Sequence, residues 1–296
     1  MTFPAPAEEP VPSETILFLS ASARTKLFIA ELFRSRSFIV GCAVSLFWIL
    51  DAILWPWLTP YDPQTLNADA TLQAPSARYW FGTDDFGRDV LSRLMAGAST
   101  ILTIAPIATL LGVLGGVVLG SLAAYYRGPV DAAITRLIEA MLAFPLIIVA
   151  VAVLGLLGGS SINVILIVAI QFTPMIARTV RGAVLVECGK DYVAAARMLG
   201  DSGLVIVVRE ILPNILPVIL VEATARLGYA VFASATLSFL TLGVQQPSPD
   251  WGLSIALGRS YLQVAPWIVL YPAAALATIV IAVNLISDAT KEALDR

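Results

Sequence analysis

The sequence predicts an all-α membrane protein with six transmembrane helices. Hydrophobic residues make up 58% of the 296-residue chain and charged residues 13%, where soluble domains carry roughly a quarter charged. Mean hydropathy is +0.85. Long apolar runs recur near the roughly 17–25 residues that a membrane-crossing helix needs. Barrel strands would be about ten residues long and would alternate in polarity.

The predicted spans are Phe38–Leu54, Thr100–Ala124, Ile134–Leu157, Ile162–Ala177, Ile215–Val244 and Trp267–Ile286. Asp51 lies near the outer end of the first and is expected to reach the interface. The fourth is short and polar-tinged, with Asn163, Gln171, Thr173 and Pro174. Pro145 and Pro174 read as local kinks. The connections Tyr125–Ala133 and Gly158–Ser161 are short, so the helices they join should be antiparallel neighbours.

Basic residues set the orientation. With the N-terminus inside, Arg24, Lys26, Arg34, Arg36, Arg127, Arg136, Arg178, Arg181, Lys190, Arg197, Arg209, Lys291 and Arg296 are cytoplasmic. Only Arg78, Arg88, Arg93 and Arg259 then lie outside, a positive-inside bias of thirteen to four. Both termini are expected in the cytoplasm. The net charge of −3 carries little information beside that asymmetry. Residues 1–23, rich in Pro, Ala and Glu near the start, read as a disordered cytoplasmic tail without the basic start of a signal peptide. Cys42 and Cys188 imply no disulfide framework.

Two long segments, Trp55–Ser99 and Gln245–Pro266, fall outside. The first carries Trp55, Trp57, Tyr61, Tyr79 and Trp80, residues typical of interfacial anchors. Asp89 and Arg93 then stand at i,i+4 with Val90, Leu91 and Leu94 as an apolar face. The spacing predicts an amphipathic helix on the outer surface, serving either as a lead into the next span or in gating or docking.

A charged island interrupts the apolar pattern at Asp191–Pro213. A short helix (Asp191–Leu199) ends at Gly200-Asp201-Ser202-Gly203, where Gly breaks one helix and Asp-Ser caps the next. A second amphipathic stretch runs into Pro213 and Pro217. Two short helices meeting at a glycine knuckle form a compact projection able to receive a push from a soluble partner.

Several catalytic chemistries are excluded. Gly200-Asp201-Ser202-Gly203 matches the tetrapeptide around a trypsin-like serine, but the chain has no histidine for a relay. The same lack, with two separated cysteines, leaves no zinc ligand set. The Gly189-Lys190 pair is not part of a phosphate loop, since position 184 is Val and position 191 is Asp. Any energy from ATP would come through a partner.

Inside the membrane, ionisable residues are costly and point to function. Glu222 and Arg226 stand at i,i+4 in the fifth span, in the order suited to an ion pair. They read either as a structural pair between helices or as a contact lining a pathway. Ser234, Thr236, Ser238 and Thr241 follow; such residues permit close packing or line an aqueous path.

These residues resemble the peptide/nickel-type permease subunits of bacterial ABC importers, in particular the C member of the paired dipeptide/oligopeptide permeases. The likeness covers about residues 24–296. It rests on F-G-T-D-D-F-G-R-D-V-L-S-R at 81–93, A-F-P at 143–145, D-Y-V-A-A-A-R-M-L-G at 191–200, R-E-I-L-P-N at 209–214 and L-S-F-L-T-L-G-V-Q-Q-P-S-P-D-W-G at 237–252. Of the family signature E-A-A-x3-G-x9-I-x-L-P, Ala195, Ala196, Gly200, Leu212 and Pro213 match. Ala194 replaces the Glu, with Asp191 nearby as an acid, and Glu210 replaces the Ile. Ser234 stands where relatives often have Glu, and Thr241 where they have Gly.

The resemblance implies a type I ABC importer transmembrane domain over 24–296 with a coupling loop at 178–214. It implies ATPase-coupling roles for Asp191, Tyr192, Ala195, Ala196, Arg197, Gly200, Asp201 and Ser202, and pathway or gate roles for Glu222, Arg226, Ser234 and Ser238. The implied partners are a second homologous permease, two nucleotide-binding ATPase domains that bind ATP and Mg, and an extracytoplasmic peptide-binding protein, all at the bacterial plasma membrane. No cofactor or metal in this chain and no nucleic acid are expected. The cargo would be dipeptides or oligopeptides; the alternative is nickel chelates or another small solute.

Overall fold

The computed structural model describes residues 32–295, without the side chain of Asp295; the expected tail at 1–23 lies outside the described residues. Among these, the regular elements are helical and the only extended pairing is one bridge between Thr83 and Asp89. The principal helices are α1 (Arg36–Leu58), α2 (Val90–Tyr126), α3 (Gly128–Leu142), α4 (Leu146–Leu157) and α5 (Ser161–Glu187). They continue with α6 (Asp191–Met198), α7 (Gly203–Phe239), α8 (Trp251–Gly258) and α9 (Trp267–Asp295).

Five helices (α1, α2, α5, α7 and α9) are long and apolar enough to cross a membrane, and α3 with α4 make a sixth, broken candidate bent by 82°. The sequence placed a continuous span across that break. Pro145 ends it: proline has no N–H to donate, and its ring disfavours helical backbone at Phe144 before it. Pro145 stands outside α4 in extended conformation, so it severs the helix where a kink was expected.

The other helices run beyond the predicted spans at one or both ends, except that α7 stops at Phe239, short of the predicted Val244. α2 begins directly after Asp89, so the expected surface helix is the buried first part of the span itself. Asp89 is committed as its cap: Oδ2 accepts from the Ser92 amide at 2.8 Å and the Ser92 hydroxyl at 2.7 Å. Arg93 therefore finds partners other than Asp89. Asp51 also departs from expectation. It shares a helix face with the buried Gly41 and Trp48, and is itself buried with Oδ2 unpartnered. Tyr79, expected as an interfacial anchor, is buried against Tyr61 and accepts a hydrogen bond from Asn67, while Trp57 and Trp80 are exposed.

α2 and α5 form the central pair, and glycines decide how closely they approach. A Cβ on Gly116 would lie 2.6 Å from Ile176, and one on Gly120 would lie 2.6 Å from the Ala177 carbonyl. Gly112, Gly116 and Gly120 recur every fourth residue on one face of α2, the small-residue spacing that lets membrane helices pack backbone to backbone. Arg181 of α5 meets Asp131 of α3 in a fork, with two bonds of 2.6 Å, tying α3 to the central pair. The bundle thus has an elbow end, where α2 and α5 finish and α6 projects, and a loop end, where the long 59–89 and 240–266 segments fold.

Candidate functional site

At the elbow end the chain leaves α5 at Glu187 and builds α6 across it. Val193 and Ala196 are the buried face of α6 and pack into the core that includes Val184 and Ile206. Glu187 is buried and makes two bonds to the segment that follows: Oε1 accepts from Lys190 Nζ and Oε2 from the Tyr192 hydroxyl, both at 2.7 Å. Burial, with the Glu187 carboxylate beside it, pushes the Tyr192 phenol up to about 12, so it stays a donor at physiological pH. The Arg197 guanidinium lies over the Tyr125 ring at 5.1 Å, which joins α6 to the end of α2.

Gly200 turns the chain. Its φ is +87°, and the amides of Gly200 and Asp201 return to the carbonyls of Arg197 and Ala196 at 3.1 and 3.2 Å. This is a Schellman closure, which satisfies carbonyls left open at a helix end. Ser202 takes the next N-cap position, but its side chain makes no capping bond, contrary to the sequence reading; only its carbonyl accepts, from Ile206. Gly203 abuts Tyr125, 2.7 Å from a Cβ placed there.

From Gly203 the chain is one helix to Phe239, so the second part of the projection and the fifth span are a single rod. The rod passes through a π-turn at Ile206–Ile211, where the Leu212 amide reaches the Val207 carbonyl. The wider turn sits just before Pro213, whose ring would clash with the carbonyl four residues back in a regular helix. The outer surface of the elbow is apolar: Met198 and Leu199 are 83% and 84% exposed, and Leu204 is exposed beside them. Asp191, Ala195, Arg197, Asp201 and Ser202 are exposed around this cap, and Ala196 and Tyr192 hold it from beneath.

Midway along α7, Arg226 donates from Nε and Nη2 to Glu222 Oε1 at 2.8 and 2.5 Å, and Nη1 points to Met175 Sδ of α5 at 3.7 Å. The pair is half-buried beside an exposed stripe that includes Val218, Tyr229 and Phe232. Ser234 and Ser238 lie on the other side of the rod, each 1% exposed. Ser234 donates to the Val231 carbonyl, and a Cβ on Gly252 of α8 would meet the neighbouring Ala235 carbonyl. The structure thus separates these serines from the charged pair.

The loop end is held by residues the charge pattern alone did not connect. Arg93 donates to the carbonyls of Pro63 at 3.1 Å and Ser248 at 3.0 Å, and lies 3.6 Å from Asp84, which also binds Arg88. It therefore clamps the two long segments together. Trp251 inserts beneath the clamp, donating to the Leu94 carbonyl at 2.8 Å and meeting Trp48 edge-on. Asp250 caps α8 through the Leu253 amide at 2.9 Å, and burial pushes its carboxyl up to about 6. Among the described residues, no three His, Cys, Asp or Glu side chains gather as metal ligands would.

Comparison with known proteins places this geometry in a family. Residues 116–296 match the model of the binding-protein-dependent transport system inner membrane component, and residues 24–75 match the N-terminal TM domain of oligopeptide transport permease C. The chain is 38% identical to a dipeptide transport system permease protein of Alkalihalophilus pseudofirmus, over 90% of this chain and 87% of the relative. It is 40% identical to a glutathione transport system permease protein of Escherichia coli, over 83% of this chain and 82% of the relative. Its backbone is similar to a chain of the inward-facing MetNI methionine ABC transporter, with a TM-score of 0.56 and 20% identity, over 68% of this chain and 96% of that one. A bent bundle with a helical elbow, matched along most of its length, belongs to the family of binding-protein-dependent transport system inner membrane components, and the chain is a multi-pass permease subunit of an ABC transporter.

Proposed function

We propose that this permease imports short peptides by alternating access, driven by partner ATPase subunits that press on the elbow. The observation that carries the reading is the continuity of α7, a single rod from an exposed apolar knuckle to the charged pair within the fifth span. A push on Met198, Leu199 and Leu204 passes through the core under α6 into that rod, and a rigid tilt of α7 is a hinge-type switch between two openings. Asp191, Tyr192, Ala195, Ala196, Arg197, Gly200, Asp201 and Ser202 form the docking surface and its support. Glu222 and Arg226 face the pathway. Ser234 and Ser238 pack α7 against the loop end.

The functional unit is 24–296, supported by the two matched segments. The complete machine pairs this chain with a second homologous permease, two nucleotide-binding domains holding ATP and Mg, and an extracytoplasmic binding protein at the loop end. The excess of Lys and Arg on the elbow side supports a cytoplasmic elbow and cytoplasmic termini at the bacterial plasma membrane. The names of the relatives, dipeptide and peptide permeases with a glutathione permease beside them, favour peptides over nickel chelates. The test is reconstitution of the complex with its binding protein and a labelled dipeptide. ATP-dependent uptake that also requires the binding protein is expected; conduction without ATP, or no peptide uptake, would overturn the reading.

A further inference from the structure

Glu222 lies seven residues, about 10 Å at 1.5 Å per residue, into the apolar run of α7 that begins at Ile215. Ionisable side chains at such depth face protein or water, not hydrocarbon. The neighbouring stripe of α7 is nevertheless open in this chain, with Tyr229 and Phe232 at 61% and 64% exposure. The charged pair therefore borders a face that something other than lipid must meet.

The hydrogen bonding of the pair leaves capacity on both partners. Two guanidinium nitrogens converge on one carboxylate oxygen, Glu222 Oε1, and the third points to the Met175 thioether, a weak acceptor, while the guanidinium lies 5.7 Å from the centroid of the Tyr229 ring. Glu222 Oε2 accepts no bond from the described residues. Arginine has five donors in a planar fork suited to a carboxylate, and the free carboxylate oxygen suits an ammonium. A ligand with a single charge would satisfy one of these and repel the other. A zwitterion satisfies both.

Resting on the proposed peptide import, we infer that Glu222 and Arg226 form a contact point for the main-chain termini of a passing peptide. Arg226 receives the terminal carboxylate and Glu222 the terminal ammonium. Tyr229 and Phe232 offer apolar faces that accept varied side chains, so the site reads what all peptides share. The contact is weak, because each charge already has a partner to exchange.

The experiment uses the complete complex in nanodiscs without the binding protein, so that the selectivity of that protein does not enter. Saturation-transfer NMR compares alanyl-alanine with its C-terminal amide and its N-acetyl derivative. Wild type is expected to favour the free dipeptide about tenfold over either blocked form, the equivalent of one charge-assisted hydrogen bond. Arg226→Gln should abolish discrimination against the amide and keep discrimination against the N-acetyl form; Glu222→Gln should do the reverse. Arg226→Lys, which keeps the charge and loses the fork, should show intermediate carboxylate preference and carries the test if the glutamine variant does not assemble. Equal binding of all three ligands by wild type, or a uniform loss in every variant, overturns the inference. Peptide uptake by the reconstituted system would then still stand, whereas absent uptake would remove the import reading itself.

Discussion

Glu187 and Tyr192 are joined by a 2.7 Å hydrogen bond that fixes α6 to the end of α5. The carboxylate is buried, and Lys190 holds its other oxygen. Losing the phenol removes one bond to a charged group, worth roughly 1.5–3 kcal/mol. Losing the carboxylate leaves both donors without their acceptor. Tyr192→Phe should therefore destabilise the purified complex measurably, and Glu187→Ala by more, in thermal unfolding. In the proposed mechanism both also raise the ATP hydrolysed per peptide imported, because a loose elbow yields before α7 moves. Unchanged coupling in Glu187→Ala would show that the α5 attachment transmits no force.

Gly200 separates conformation from contact. A Cβ there would meet nothing within 4 Å, yet φ is +87°. Any L residue pays for the left-handed backbone, roughly 1–2 kcal/mol, and alanine and tryptophan pay alike. Gly200→Ala and Gly200→Trp should thus show similar melting temperatures. Only the tryptophan projects into the docking surface, so only it should leave the complex assembled with ATP hydrolysis uncoupled from uptake. Equal uncoupling by both would assign the effect to the turn; normal uptake by Gly200→Trp would defeat the docking assignment.

The fold class was legible because apolar length is a one-dimensional signal; five unbroken helices overlap the predicted spans, though α2 starts ten residues early and α7 absorbs the second helix of the elbow. The 82° break at Ala143–Pro145 was not, since a proline in an apolar run can bend a helix or end it; the packing around it decides. Gly200 was readable as a helix stop. The π-turn before Pro213 was not, because its widened ladder is a response to ring geometry that composition does not encode. The i,i+4 rule paired Glu222 with Arg226 correctly and paired Asp89 with Arg93 wrongly. Asp89 sits at a helix start, where capping the Ser92 amide outcompetes a side-chain partner. The Gly112–Gly116–Gly120 spacing was present in the sequence and would have marked the α2 face that meets α5.

That glycine face gives the largest expected loss. Gly116→Leu would place its Cβ 2.6 Å from Ile176 in the middle of the α2–α5 contact. The neighbouring atoms are core side chain and backbone, with little freedom to move. Overpacking of this kind costs about 1–3 kcal/mol or more, so the variant should fail to yield assembled complex on size-exclusion chromatography. Gly155→Leu, where a Cβ meets nothing within 4 Å, should assemble normally. Equal yields of the two would contradict the close packing of α2 on α5.

Thr241 holds φ at +60°, a left-handed conformation that a β-branched residue adopts only under constraint. Glycine removes the steric cost, partly offset by the greater entropy of the unfolded chain. Thr241→Gly should raise stability by about 1 kcal/mol, read as a small rise in melting temperature, with uptake unchanged. A fall in melting temperature would mean that the Thr241 side chain supplies more than the turn costs.

Asp250 sets a pH dependence at the loop end. Its carboxyl titrates at about 6 in the folded chain, raised by burial from an ordinary value of 3.8. The folded state therefore holds the proton more tightly than the unfolded state. The contribution of this group to stability is fully present below about 3.8 and is lost as pH rises through about 6. At pH 7.5 the buried carboxylate is ionised, with the Leu253 and Gly252 amides and the Ser238 hydroxyl only partly offsetting its burial. Asp250→Asn keeps an oxygen to cap the Leu253 amide and cannot ionise. The variant should melt higher than wild type at pH 7.5, by roughly 2–4 °C for each kcal/mol recovered. The difference should shrink as pH is lowered towards 5. A difference independent of pH would instead assign the effect to the new amide donor.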